Sequence, residues 1–178
     1  MNLNKYFLIA LAVLAFSCKN SISEKAYDQF TLVEQTKGET LGYNPQSGMK
    51  IIYEDDFAFK DLNRNGKLDV YEDWRQTPQT RAKDLASQID IEQIAGLMLY
   101  SPHNVVDDSI PSERTLSFIN DEKMRHILVT KVKNARTAAL WHNNLQAIAE
   151  ALPFGIPTNN SSDPRNYTEA DGEFNAGS

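Results

Sequence analysis

The sequence predicts an α/β fold built on a parallel sheet, and three neighbouring segments carry that prediction. His126-Ile127-Leu128-Val129-Thr130 is an apolar, β-branched run of strand length. After it, Ala138, Trp141, Leu145, Ile148 and Leu152 recur at alternating intervals of three and four, which places them on one face of a helix. Gly155 and Pro157 punctuate the end of that helix, and Ile156-Pro157-Thr158 leads into an extended stretch. A strand, a helix and a strand joined by short connections make a βαβ unit, and a crossover of that kind needs parallel strands.

The elements before this unit follow in order. MNLNKYFLIALAVLAFSC has Lys5, an apolar run from Tyr6 to Phe16, then Ser17-Cys18. The run has the length of a signal-peptide core and is too short to span a bilayer, so residues 1–18 are set aside as a signal peptide. Cys18, the one cysteine of the 178-residue chain, stands at the expected cleavage point and is the candidate lipidation site. An ordinary secretory signal with an incidental cysteine is the alternative. Both readings export the protein, either to the periplasm or as an outer-membrane lipoprotein with Cys18 as its membrane attachment. A single cysteine excludes an intrachain disulfide. Residues 19–49 are polar and read as a tether and turn region. The formal net charge of -6, with no clustered Lys or Arg, excludes a nucleic-acid partner.

Residues 50–76 form a separate segment. IIYEDDFAFK is strand-like. The next stretch, DLNRNGKLDVYEDW, matches the pattern of a calcium loop of the EF-hand type. Calcium takes six to eight oxygen ligands. Asp61, Asn63 and Asn65 would offer side-chain oxygens, Lys67 its carbonyl, Asp69 a direct or water-mediated oxygen, and Glu72 a bidentate carboxylate. Gly66 permits the sharp turn. A strand-like segment precedes the loop where a calcium sensor would have a helix, and no second loop accompanies it. The expected role of Ca2+ is therefore structural, and an Asn/Asp/Gly-rich turn without metal is the alternative.

Beyond the loop, residues 77–178 read as one unit. Thr77-Pro78 starts a helix, with Ala82, Leu85, Ala86 and Ile89 on one face. Asp90, with Gln93 three places on, caps a second short helix. Gly96 to Tyr100 reads as a buried strand that Ser101-Pro102 ends, and residues 103–122 read as loop. His103, His126 and His142 have no metal-like spacing, and no Gly-rich phosphate loop, nucleophile elbow or Cys/His pair is present. Asp163 falls where a strand of the parallel sheet should end, the position where such folds gather functional groups. Ser162-Asp163-Pro164 serves equally well as a turn.

Three blocks taken together, FKDLNRNGKLDVYEDWR, RAKDLASQIDIEQIAGLMLYS and LWHNNLQAIAEALPFGIPTNNSSDPRN, resemble the N-terminal part of family 3 glycoside hydrolases. The likeness is to the β-glucosidase-like lipoproteins and periplasmic enzymes of Bacteroidetes-type bacteria, and it covers residue 40 onward. It implies the first part of a (β/α)8 TIM-type barrel, preceded by the signal peptide and the EF-hand-like loop. It implies retaining, exo-acting hydrolysis of terminal β-linked sugars, with a β-linked oligosaccharide or glycoside as substrate and no cofactor for catalysis. Asp163 would be the aspartate that hydrogen-bonds sugar hydroxyls, and Arg165 would line the same site. Where many members carry His-Gly, this chain has Pro164-Arg165-Asn166, which leaves the substrate range open. The family's nucleophile and acid/base come from later barrel strands, so no catalytic residue is assigned here and the chain reads as a fragment, expected to be poorly folded and inactive alone. A non-catalytic, calcium-stabilised surface lipoprotein that binds a glycan or protein partner is the competing reading.

Overall fold

The computed structural model describes residues 21–162, a mixed α/β arrangement of four helices and three sheets. The first sheet is an antiparallel meander of β1 (Ile22–Ala26), β2 (Thr31–Gln35) and β3 (Leu41–Tyr43). It occupies the segment read from sequence as a tether. Only one face of this sheet is covered. Val33 and Leu41 are buried while β1 stays exposed along most of its length, so the polar residues on the open face mask the strand pattern.

The strand-like stretch before the loop is a hairpin of β4 (Lys50–Glu54) and β5 (Phe57–Asp61). Asp55 and Asp56 close it with φ of 53° and 65°. Positive φ at both central positions is the turn that matches the twist of paired strands. Ala58 joins Val33 and Leu41 in a small core, flanked by Ile22, Tyr43, Ile51 and Trp74.

Helix α1 (Pro78–Gln88) starts at Thr77, whose hydroxyl accepts from Thr80 N. Leu85 and Ile89 are half-buried, but Ala82 and Ala86 are exposed. Polar contacts fasten the helix instead: Arg81 Nε donates to Tyr71 O at 2.8 Å and Tyr71 N donates to Asp84 Oδ2 at 3.0 Å. Asp90 and Gln93 form the reciprocal capping box that opens α2 (Ile91–Met98).

The structure corrects two expectations here. Gly96 to Met98 belong to α2, and Met98 is 82% exposed, so the segment is not a buried strand. Tyr100 contributes a single parallel bridge to His126. A short apolar run fits a strand or a helix equally, and the capping box decides for helix. Residues 103–122 are not all loop. They hold β6 (Asn104–Val106) and α3 (Glu113–Asn120), which starts at Ser112 with its hydroxyl accepting from Thr115 N.

Strand β7 (His126–Val132), helix α4 (Ala135–Ala151) and strand β8 (Asn159–Ser162) form the predicted βαβ unit. The sheet order is β6-β7-β8, with both pairings parallel. Trp141 and Leu145 from α4 pack with Ile119 from α3, Val106 and Ile127, and Val129, Ile148 and Leu152 flank this second core.

Candidate functional site

The described residues hold one of the regions singled out in the sequence, the loop after β5, and strand β8, which leads toward the other. Asp61 is the last residue of β5 and is 2% exposed. Its Oδ2 accepts from Gly66 N at 3.0 Å, which the left-handed Gly66 (φ 75°) makes reachable. Its Oδ1 is buried without a hydrogen-bond partner. Asn63 and Asn65 each direct Nδ2 at Asp69 Oδ2, both at 2.6 Å. Their carbonyl oxygens accept from Asn65 N and Lys67 N and so set the turns of the loop. Glu72, 3% exposed, braces the loop from beneath. Its Oε1 accepts from Leu62 N and Asn63 N, and its Oε2 accepts from Asp69 N.

Burial pushes the Glu72 carboxyl above its ordinary range despite those three backbone donors. The neighbouring Tyr71 phenol is pushed up too, first by burial and then by the charges of Glu72, Asp69 and Asp61. Among the described residues no three His, Cys, Asp or Glu side chains stand close enough to hold a metal by themselves. The loop's one feature suited to a cation is the orphaned Asp61 Oδ1, with the side chains of Asn63, Asn65 and Asp69 on the same turn. A buried anionic oxygen with no donor is costly, and a cation would relieve it.

The loop is latched to the end of α4 through residues that sequence reasoning missed. Arg64, at φ 61°, donates Nη2 to Ser47 O at 3.0 Å and Glu150 O at 2.9 Å, and Nη1 to Leu152 O. It thereby serves carbonyls at the end of α4 that have no helical partner. Glu150 accepts from Lys60 Nζ at 2.6 Å and Asn44 N at 2.7 Å. A Cβ on Gly155 would lie 2.8 Å from Leu62, and the Tyr71 and Phe154 rings meet edge-on. The hydrogen bonds to Glu150 and Leu152 span 86 to 106 positions of chain, so no local pattern signals them.

Toward the other region, β8 alternates in the ordinary way. Asn160 faces α4, with its Nδ2 2.6 Å from His142 Nδ1. Asn159 and Ser161 face the opposite side, where Asn159 meets His126 and Ser161 bonds the Tyr100 hydroxyl. The side of the sheet away from α4 therefore carries polar groups at its β8 edge. β8 is described to Ser162; Asp163, Arg165 and Cys18 lie outside the described residues. Among the described residues no helix is long and apolar enough to cross a membrane.

No family model matches the chain. Curated proteins do. A periplasmic beta-glucosidase/beta-xylosidase of Dickeya chrysanthemi is 36% identical over 126 residues, 66% of this chain and 19% of that protein. Beta-glucosidase C of Emericella nidulans is 30% identical over 122 residues, covering 66% of this chain and 20% of its own length. A probable beta-glucosidase C of Aspergillus oryzae is 30% identical over 125 residues, 64% of this chain and 19% of its own. The chain thus spans about a fifth of the length of the curated relatives it matches. Over the part of it that aligns, the chain is homologous to proteins named β-glucosidases, of the family 3 type among glycoside hydrolases.

Proposed function

We propose that this chain contributes the sugar-gripping end of an exported β-glycosidase that removes terminal β-linked glucose or xylose with retention of configuration. The observation that carries the reading is the succession β6-α3-β7-α4-β8, whose consecutive strands are parallel neighbours, in a chain that aligns with β-glucosidases. Consecutive parallel strands with helices between them are how a (β/α)8 barrel begins, and such barrels place their chemistry at the carboxyl ends of strands. Asp163 is the residue after Ser162, the last described position of β8. A carboxylate there offers two acceptor oxygens to a pair of sugar hydroxyls, and Arg165 adds donors beside it.

Retaining hydrolysis needs a nucleophilic carboxylate and an acid/base about 5 Å apart. Neither is assigned to this chain, whose own part is to bind and orient. The loop from Asp61 to Glu72 holds a structural Ca2+ in this reading, with Asp61, Asn63, Asn65, the Lys67 carbonyl, Asp69 and Glu72 as its donors. Export through the residue 1–18 signal, with lipid attachment at Cys18, is consistent with a periplasmic relative.

The test is hydrolysis of p-nitrophenyl β-D-glucoside and β-D-xyloside by the protein encoded at the complete locus. Turnover of at least one is expected. Asp163→Asn should lower kcat/KM on the order of a hundredfold, because charge-assisted hydrogen bonds contribute about 1.5–3 kcal/mol each. Unchanged kinetics in Asp163→Asn would remove that residue from the site.

A further inference from the structure

We propose that the cavity between the first sheet, the hairpin and α4 is a second, non-catalytic carbohydrate site. It lies apart from the end of β8, at the side where α4 finishes and β8 begins, since Glu150, Gly155 and Pro157 line it. Its volume is about 690 Å³. That is within the range of about 300–1,000 Å³ typical of small-molecule sites.

Three features of its lining select a neutral polyhydroxy ligand. The first is charge balance. Asp28 and Glu150 are matched by Lys60 and Arg81, so neither an anion nor a cation is favoured. The Lys60–Glu150 pair is also closed on itself at 2.6 Å. The second is an aromatic wall. Phe30 lines the cavity and is backed by Tyr27, with ring centroids 4.8 Å apart and planes 13° from parallel. Tyr27 N donates to Phe30 O and closes the β1–β2 turn, which fixes the platform before any ligand arrives. The apolar face of a sugar ring stacks on such a surface.

The third feature is unspent hydrogen-bonding capacity. The side chains of Asp28, Tyr43, Gln46 and Asn143 line the cavity and make no hydrogen bond among the described residues. Amides and a phenol donate as well as accept, which is what hydroxyl groups require of a partner. These four come from separate elements: the β1–β2 turn, β3, the Pro45–Ser47 turn and α4. The Glu150 contacts to Asn44 N and Lys60 Nζ hold those elements together, so the wall is assembled by the latch described above.

The experiment is calorimetric titration of the 178-residue protein with cellotriose and with xylotriose. Saturable binding of at least one is expected. Phe30→Ala and Asn143→Ala should each weaken it about tenfold. Asn143 is exposed on α4, so its variant keeps the test sound even where Phe30→Ala loosens the turn. The component of binding that Phe30→Ala and Asn143→Ala weaken should persist in Asp163→Asn, whatever that change does at its own site. No saturation up to about 10 mM, or isotherms of Phe30→Ala and Asn143→Ala that superimpose on wild type, would overturn the proposal. Binding lost in Asp163→Asn alone would move the sugar to the end of β8, overturning this site and leaving the catalytic reading intact. Aryl-glycoside hydrolysis is scored separately, and its absence bears only on that catalytic reading.

Discussion

Glu150 shows how much one side chain carries in this structure. It is 8% exposed, accepts Lys60 Nζ on one oxygen and Asn44 N on the other, and sits in the last turn of α4. Removing it strands the ammonium group of Lys60, whose side chain is only 25% exposed, and leaves a backbone N–H without its acceptor. Breaking a buried pair from one side costs more than the pair contributes, because the remaining charge keeps its desolvation penalty. Glu150→Ala is therefore expected to lower stability by about 2–3 kcal/mol. Lys60→Met should cost less, since the carboxylate keeps Asn44 N. Urea unfolding midpoints of the two variants would check both the size and the order. An equal loss in both would mean that the ion pair, and not the strand-to-helix latch, sets the effect.

At the level of elements, α2 tests how packing overrules propensity. Gly96 lies inside this eight-residue helix, where alanine would ordinarily gain about 1 kcal/mol. A Cβ at Gly96 would stand 2.5 Å from Lys123 Cβ and 2.6 Å from Glu122 O. One neighbour is backbone and the other is the stem of a side chain at φ 57°, so neither yields readily. Gly96→Ala should therefore destabilise by about 1–3 kcal/mol, read as a lower thermal midpoint. A midpoint that rises would show that the α3–β7 turn gives way. The same helix explains what the sequence could disclose. Its capping box was legible, as were the stripe on α4 and the β7-α4-β8 unit, because each is a local pattern with a geometric consequence. The meander β1-β2-β3 was not legible, since its strands are short and buried on one face only. The Gly96–Tyr100 run misled because apolar content alone does not distinguish strand from helix. The turn from Asp61 to Glu72 could be located from spacing, whereas the roles of Arg64 and Glu150 could not, because their partners are remote in sequence.

At the scale of the whole molecule, the described residues form two small cores, one around Val33, Leu41 and Ala58 and one around Ile119, Ile127, Trp141 and Leu145. What ties them is the Asp61–Glu72 loop, which sits between the hairpin and the end of α4. A cation held at Asp61 would therefore stabilise more than its own turn. Ligand binding to the folded state alone stabilises by about 2.7 kcal/mol at a concentration one hundred times Kd. The melting midpoint is expected to rise with added Ca2+ and to fall back with chelator. Asp61→Asn should abolish that response while retaining an acceptor for Gly66 N. Backbone amides near the end of α4, from Leu145 to Leu152, should exchange more slowly with calcium present, because Arg64 transmits the order of the loop to the Glu150 and Leu152 carbonyls. Arg64→Ala separates the two effects: the loop should still respond to calcium, and the protection at α4 should vanish. If the wild-type midpoint ignores calcium, the loop is held by Glu72 and its backbone donors alone, and the buried Asp61 oxygen needs another explanation.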